Sequence, residues 1–139
     1  MKIVVNRCYG GFGLSDKAIE MIMNRKGLGC FRYQQTKYSF RNGVDEYVRR
    51  DKSELNNGHI YYYSEDLGKK INNLSNKAWW YDKNIERTDN DLIAVVEELG
   101  EEADGKYAEL EVVEIPDDVD YKIDDYDGIE TIHEVHRSW

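Results

Sequence analysis

No apolar run in this chain approaches the roughly 20 residues that a helix needs to cross a bilayer. That argues against a membrane-spanning protein and leaves no membrane partner to expect. The opening stretch, Met1 to Asn6, is too short and too quickly polar for a secretory signal. Cysteine is scarce: Cys8 and Cys30 are the two present, with no Cys-x-x-Cys pair and no His/Cys spacing of a zinc site. They are read as free thiols in a reducing, cytoplasmic compartment. Proline occurs once, at Pro116. Neither Gly-x-Gly-x-x-Gly nor Gly-Lys-Ser/Thr is found, so the Rossmann fingerprint and the P-loop are both missing. No internal repeat is visible, and no cofactor is expected.

What is present describes a globular chain of 139 residues, 40% hydrophobic and 34% charged. That length supports one ordinary core, so a single domain over 1–139 is expected. The formal charge of −9 is unevenly spread. Residues 1–100 carry 16 basic and 14 acidic side chains, a net of +2, and residues 101–139 carry 3 and 14, a net of −11. The acidic part repels phosphate backbones, so duplex nucleic acid is not an expected partner. It suits a basic protein surface, or simply a solvated face that keeps the chain soluble.

The sharpest stretch is Asn6-Arg7-Cys8-Tyr9-Gly10-Gly11-Phe12-Gly13-Leu14-Ser15. A β-branched strand, Lys2 to Asn6, precedes it. A helix over Asp16 to Arg25 follows, with Ser15 as N-cap and Gly27 as its stop. Strand, glycine loop and helix start can converge backbone N–H groups on an anion. Arg7, Gly10, Gly11, Gly13 and Ser15 are therefore candidate ligand-binding residues. The same glycines equally serve a tight crossover in which strand and helix merely pack.

Residues 28–85 differ in texture: rich in Tyr, Trp, Asn, Lys and Arg, poor in aliphatics. Arg41-Asn42-Gly43 and Asn56-Asn57-Gly58 are turn signals. Val44 to Leu55 reads as a short charged helix. His59 to Tyr63 reads as an edge strand. Ser64 to Leu74 reads as a helix with Leu67, Ile71 and Leu74 on one face. Tyr61-Tyr62-Tyr63 and Trp79-Trp80-Tyr81 are either base-stacking platforms, interface anchors or a covering layer of rings. Trp79 and Trp80 are the candidate stacking residues.

From residue 86 periodicity returns. Thr88 and Asp91 form a variant capping box, followed by Leu92, Val95, Val96 and Leu99 at helical spacing. That helix is expected to pass Gly100 and stop at Asp104-Gly105. Ala108 to Ile115 alternate as a strand that Pro116 ends, and the first strand is expected to pair with it. Asp127-Gly128 marks a hairpin between Tyr121–Tyr126 and Ile129–Val135. The terminal Trp139 reads as a docked tail. The sum is α+β: a mixed or antiparallel sheet, two or three helices and an aromatic-rich variable middle.

Two further chemistries are weighed. Cys8, beside Arg7, could act as a nucleophile with His133 or His136 as base, but no local signature of a cysteine hydrolase accompanies it. The acids Asp117, Asp118, Asp120, Asp124, Asp125 and Asp127 lack the Gly and Glu placement of an EF-hand and read as a solvated face, so no metal is expected.

The opening block, Lys2-Ile3-Val4-Val5-Asn6-Arg7-Cys8-Tyr9-Gly10-Gly11-Phe12-Gly13-Leu14-Ser15, resembles that of a widespread family of small, functionally uncharacterised bacteriophage and prophage proteins. So do Arg87-Thr88-Asp89, Val95 to Gly100, Val113 to Val119, Tyr126 to Glu130 and the Glu134-x-His136-Arg137-Ser138-Trp139 end. The match covers roughly residues 2–25 and 86–139. Members often carry Pro after Asp89, where this chain has Asn90. The resemblance implies a phage accessory protein of the host cytoplasm, an antagonist of host defence. The leading expectation is a non-enzymatic protein that sequesters a small nucleotide-like anion between the Arg7–Ser15 loop and a ring such as Trp79 or Trp80. The alternative is an inhibitor that meets a basic host protein through its acidic C-terminal face. A small hydrolase using Cys8 comes third. A homo-oligomer is compatible with either binding role.

Overall fold

A computed structural model describes residues 1–37, 43–56 and 58–135. The expected turn at 41–43, Asn57 of the second turn, His136 and the docked Trp139 fall wholly or partly outside those residues. The fold is α+β: among the described residues, two α-helices accompany nine strands, all paired antiparallel. The chain splits into two compact units, Met1–Ile22 with Asp82–Trp139, and Met23–Tyr81.

The first unit is built on β1 (Lys2–Asn6). Its β-branched run Ile3-Val4-Val5 is 0% exposed, so both faces of the strand are covered. Burying each such side chain contributes about 1.5–3 kcal/mol. Helix α1 (Asp16–Arg25) follows the glycine loop. Ser15 caps it as expected, its Oγ accepting from the Ala18 amide at 3.2 Å. Ala18, Ile19 and Ile22 form the helix's buried stripe. After Arg25 the chain turns through Gly27, whose φ of +75° suits glycine.

Helix α2 (Asn90–Leu99) packs against β1 and buries Leu92, Val95 and Val96. Its N-cap is Asp89 rather than Thr88. The Asp89 carboxylate accepts from Asp91 N at 2.9 Å and Leu92 N at 3.0 Å, and a charged acceptor fits the helix dipole better than a hydroxyl. The helix ends at Leu99, because Gly100 adopts a φ of +58°. A 3₁₀ turn, Gly100–Ala103, carries the chain on and buries Ala103, so the apolar stripe continues while the α-helix does not.

The last three strands of the chain are β7 (Leu110–Glu114), β8 (Tyr121–Tyr126) and β9 (Ile129–Glu134). β7 pairs antiparallel with β1, in a register that sets Ile3 opposite Val113 and Val5 opposite Glu111. β8 and β9 form the expected hairpin. Its two-residue turn, Asp127 at φ +50° and Gly128 at φ +94°, matches the right-handed twist of the flanking strands. β9 lies against β1.

The second unit is a five-stranded antiparallel sheet. Its members are β2 (Phe31–Lys37), β3 (Glu46–Arg50), β4 (Tyr61–Tyr63), β5 (Lys70–Asn72) and β6 (Trp79–Trp80), in the order β5-β3-β2-β4-β6. This overturns two expectations. The segment 44–55 is strand β3 followed by a 3₁₀ turn, Lys52–Glu54, and 64–74 is loop and strand β5. β4 is internal, flanked by β2 and β6, and so is no edge strand. Tyr33, Tyr47 and Tyr63 form the core, with Leu67, Ile71 and Leu74 packed on it.

A tyrosine core works where its hydroxyls find partners, as those of Tyr33 and Tyr63 do. Tyr33 Oη donates to Gly68 O at 2.8 Å and accepts from Leu67 N at 2.9 Å. Tyr63 Oη donates to Ser75 O. The Tyr33 and Tyr63 rings meet edge to face, 5.7 Å apart at 87°. Burial raises the pKa of both phenols above the ordinary tyrosine value.

Candidate binding surface

The glycine loop is held by the protein's own chain. Gly10 N donates to Asp127 O at 3.3 Å, Leu14 N to Asp82 Oδ2 at 3.0 Å, and Ser15 N to Ala103 O at 2.9 Å. Gly13 O accepts from Gly105 N at 3.0 Å. Ser15 Oγ donates to Glu102 O as well as capping α1. The close approaches explain the glycines. A Cβ on Gly10 would lie 2.7 Å from Tyr107 Cβ, and one on Gly128 would lie 2.3 Å from Gly11 N. The hairpin turn thus comes close to the loop at Gly10 and Gly11, and Tyr107 at Gly10, while the space beside a Cβ on Gly11 is open.

Arg7 is also engaged. Its Nε donates to Glu111 Oε2 at 2.9 Å and its Nη1 to Glu130 O at 2.8 Å. The structure thus brings Arg7, Gly10, Gly11, Gly13 and Ser15 together in the first unit with most of their polar groups bonded internally. Trp79 and Trp80 lie on β6 of the second unit. Trp79 is 41% exposed and stacks on Tyr81 at 5.1 Å and 13°. Trp80 is half-buried, opposite Tyr62.

Beneath the loop lies a polar cluster that the sequence reading missed. Asn6 is 0% exposed, yet its amide is fully bonded. Nδ2 donates to Cys8 O and Gly128 O, both at 2.7 Å, while Oδ1 accepts from Glu109 N at 2.8 Å and Cys8 N at 3.3 Å. Glu130, 5% exposed, accepts from Asn6 N at 2.8 Å and pairs with Arg87, whose Nη2 reaches Oε2 at 2.9 Å. The Arg87 guanidinium lies 3.7 Å over the Phe12 ring. The available signal was positional. In a strand, Glu130 and Ile132 share a face, so an acid stood where an apolar residue was due.

Cys8 is half-buried and free. It lines an open cavity of about 620 Å³ with Glu101, Asp104 and Glu109 among the walls. Those are acids, not the cation that activates a thiol. His133, the proposed base, is not among the lining residues; its Nε2 lies 3.0 Å from Thr131 Oγ1 and 3.3 Å from Asp124 Oδ2. Among the described residues, no three His, Cys, Asp or Glu side chains gather as a metal site. No helix among them is long and apolar enough to cross a membrane.

A half-open groove of about 440 Å³ is lined by Val113, Ile115, Pro116, Val119, Tyr121 and Ile132, with Arg7, Thr131 and Glu134 at its polar positions. Its apolar side chains come from β7, β8, β9 and the connecting loop. Four acids in and around these segments are exposed: Glu114, Asp118, Asp120 and Glu134. None of these four forms an ion pair among the described residues, whereas Asp117 binds the Met1 amine, which holds its carboxyl below the usual range. Compared with protein-family models, with curated proteins and with solved structures, the chain matches none.

Proposed function

We propose that this chain is a non-enzymatic binding protein that engages a basic protein partner through its acidic C-terminal face. The observation that carries this reading is the groove: an apolar cleft of about 440 Å³ in the segment whose carboxylates Glu114, Asp118, Asp120 and Glu134 are exposed and form no ion pair among the described residues. An apolar centre with a charged rim is the anatomy of a protein interface, and the rim's sign selects a basic partner and speeds encounter. The resemblance of both terminal blocks to small bacteriophage and prophage proteins adds a setting, the host cytoplasm, and a role, the blocking of a host defence factor.

Immobilised chain tests it. The triple variant Asp118→Lys/Asp120→Lys/Glu134→Lys loses a partner that wild type retains from a host lysate, and Trp79→Ala, on β6 of the second unit, keeps it. Equal retention by all three contradicts the reading.

One observation favours a second reading, sequestration of a small nucleotide-like anion. The exposed Trp79 ring, already stacked on Tyr81, is a platform on which a base can lie. Thermal shift against a nucleotide panel tests this, since ligand at 100 times Kd stabilises by about 2.7 kcal/mol.

A further inference from the structure

We infer that the partner's contact is an extended, basic segment that adds as a strand to the open edge of β7. This inference rests on the protein-binding reading above and names how that surface is used.

The register of β1 and β7 decides which backbone groups are free. Arg7 N donates to Glu109 O at 2.8 Å and Ile115 N to Met1 O at 2.9 Å. In an antiparallel ladder, residues that exchange such bonds alternate with residues whose N–H and C=O point away. On β7 the odd positions, 109 to 115, therefore face β1. Leu110, Val112 and Glu114 face outward.

The outward groups of β1 are covered: Val4 N donates to Arg87 O at 2.9 Å and Asn6 N to Glu130 Oε1 at 2.8 Å. On β7 the cover stops early. Leu110 N donates to Asp104 Oδ1 at 2.9 Å, but among the described residues no strand pairs with this edge beside Val112 and Glu114. An unpaired edge invites another chain unless it is guarded. Here the guard is charge, since Glu109, Glu111 and Glu114 are all exposed on the strand or just before it.

That guard chooses the occupant. Two copies paired through this edge would set their glutamates against each other, so self-association is disfavoured. A strand alternating Lys or Arg with apolar residues suits both features. Its cations lie on the face of Glu114, and its apolar side chains lie on the opposite face beside Val113 and Ile115, two walls of the groove. β8 also has an open edge, but Lys122, Asp124, Asp125 and Tyr126 are all exposed along it, so an added strand would bury little there. β5 and β6 end the other sheet with three and two residues, too short to template a partner.

The experiment uses the ¹⁵N-labelled full chain and three ten-residue probes: an alternating Lys-Val peptide, its Glu-Val counterpart, and the Lys-Val peptide N-methylated at alternate residues. Expected are saturable shifts at the Val112 and Glu114 amides with the Lys-Val peptide, and at least tenfold slower hydrogen exchange at Val112 and Glu114. The Glu-Val and N-methylated probes leave both amides unmoved. Val112→Pro, which removes an outward N–H that an edge strand can lose, weakens the Lys-Val peptide at least tenfold. If the N-methylated probe binds as well as its parent, strand addition is wrong and the acidic-face reading survives. If the Lys-Val and Glu-Val peptides both fail to bind at low salt, both inferences fall.

Discussion

Arg87 and Glu130, 43 residues apart in sequence, form a two-point ion pair with both oxygens of a carboxylate that is 5% exposed. Glu130 also accepts from the backbone of Asn6, so the pair ties the approach to α2 and the C-terminal hairpin to the first strand. A pair this buried makes a modest net contribution when intact but is costly to break. Glu130→Gln leaves the guanidinium without its counter-charge and should destabilise the chain by about 3–5 kcal/mol in urea denaturation. A loss under about 1 kcal/mol would show that solvent reaches the pair.

The glycines at Gly11 and Gly128 separate two causes of glycine dependence. Both have φ of +94°, but a Cβ at Gly11 meets nothing within 4 Å, whereas one at Gly128 lies 2.3 Å from Gly11 N. Gly11→Ala should cost about 1–2 kcal/mol, the left-handed backbone term alone. Gly128→Ala carries that term plus the displacement of the turn from the loop, and its melting temperature should fall further. Equal losses would mean that the turn yields freely.

Asp66 predicts a pH dependence. The Gly68 amide, then the Arg49 guanidinium, hold its carboxyl below the ordinary value of 3.8. A depressed carboxyl stabilises the fold above the ordinary carboxylate value, and that stability is lost as pH falls through the folded value. Asp66→Asn should therefore melt lower than wild type at neutral pH. The gap should close at acid pH, once wild-type Asp66 is itself protonated. A gap that persists there assigns the loss to packing.

Sequence made the first unit legible because its elements carry clean periods. Ile3-Val4-Val5, the Leu92-Val95-Val96 stripe and the Asp127-Gly128 turn each name one structure. In the second unit the period misleads. Leu67, Ile71 and Leu74 have helical spacing, yet Gly68 at φ +102° and Asn73 at φ +59° break any helix, and all three side chains cover a tyrosine core instead. Val44 and Val48 mimic a helical turn in the same way, while the core residue between them is Tyr47. The glycine loop shows a different limit. Sequence reveals that backbone must come close there, but not whether the approaching group is a ligand or, as with Gly128 and Tyr107, the chain itself.

Native mass spectrometry of the chain, isolated from the cells in which it is made, weighs whatever it carries. The account predicts a salt-labile complex with a basic protein, lost in the Asp118→Lys/Asp120→Lys/Glu134→Lys variant. A chain carrying instead an added mass of nucleotide size, unchanged in that variant, would contradict it.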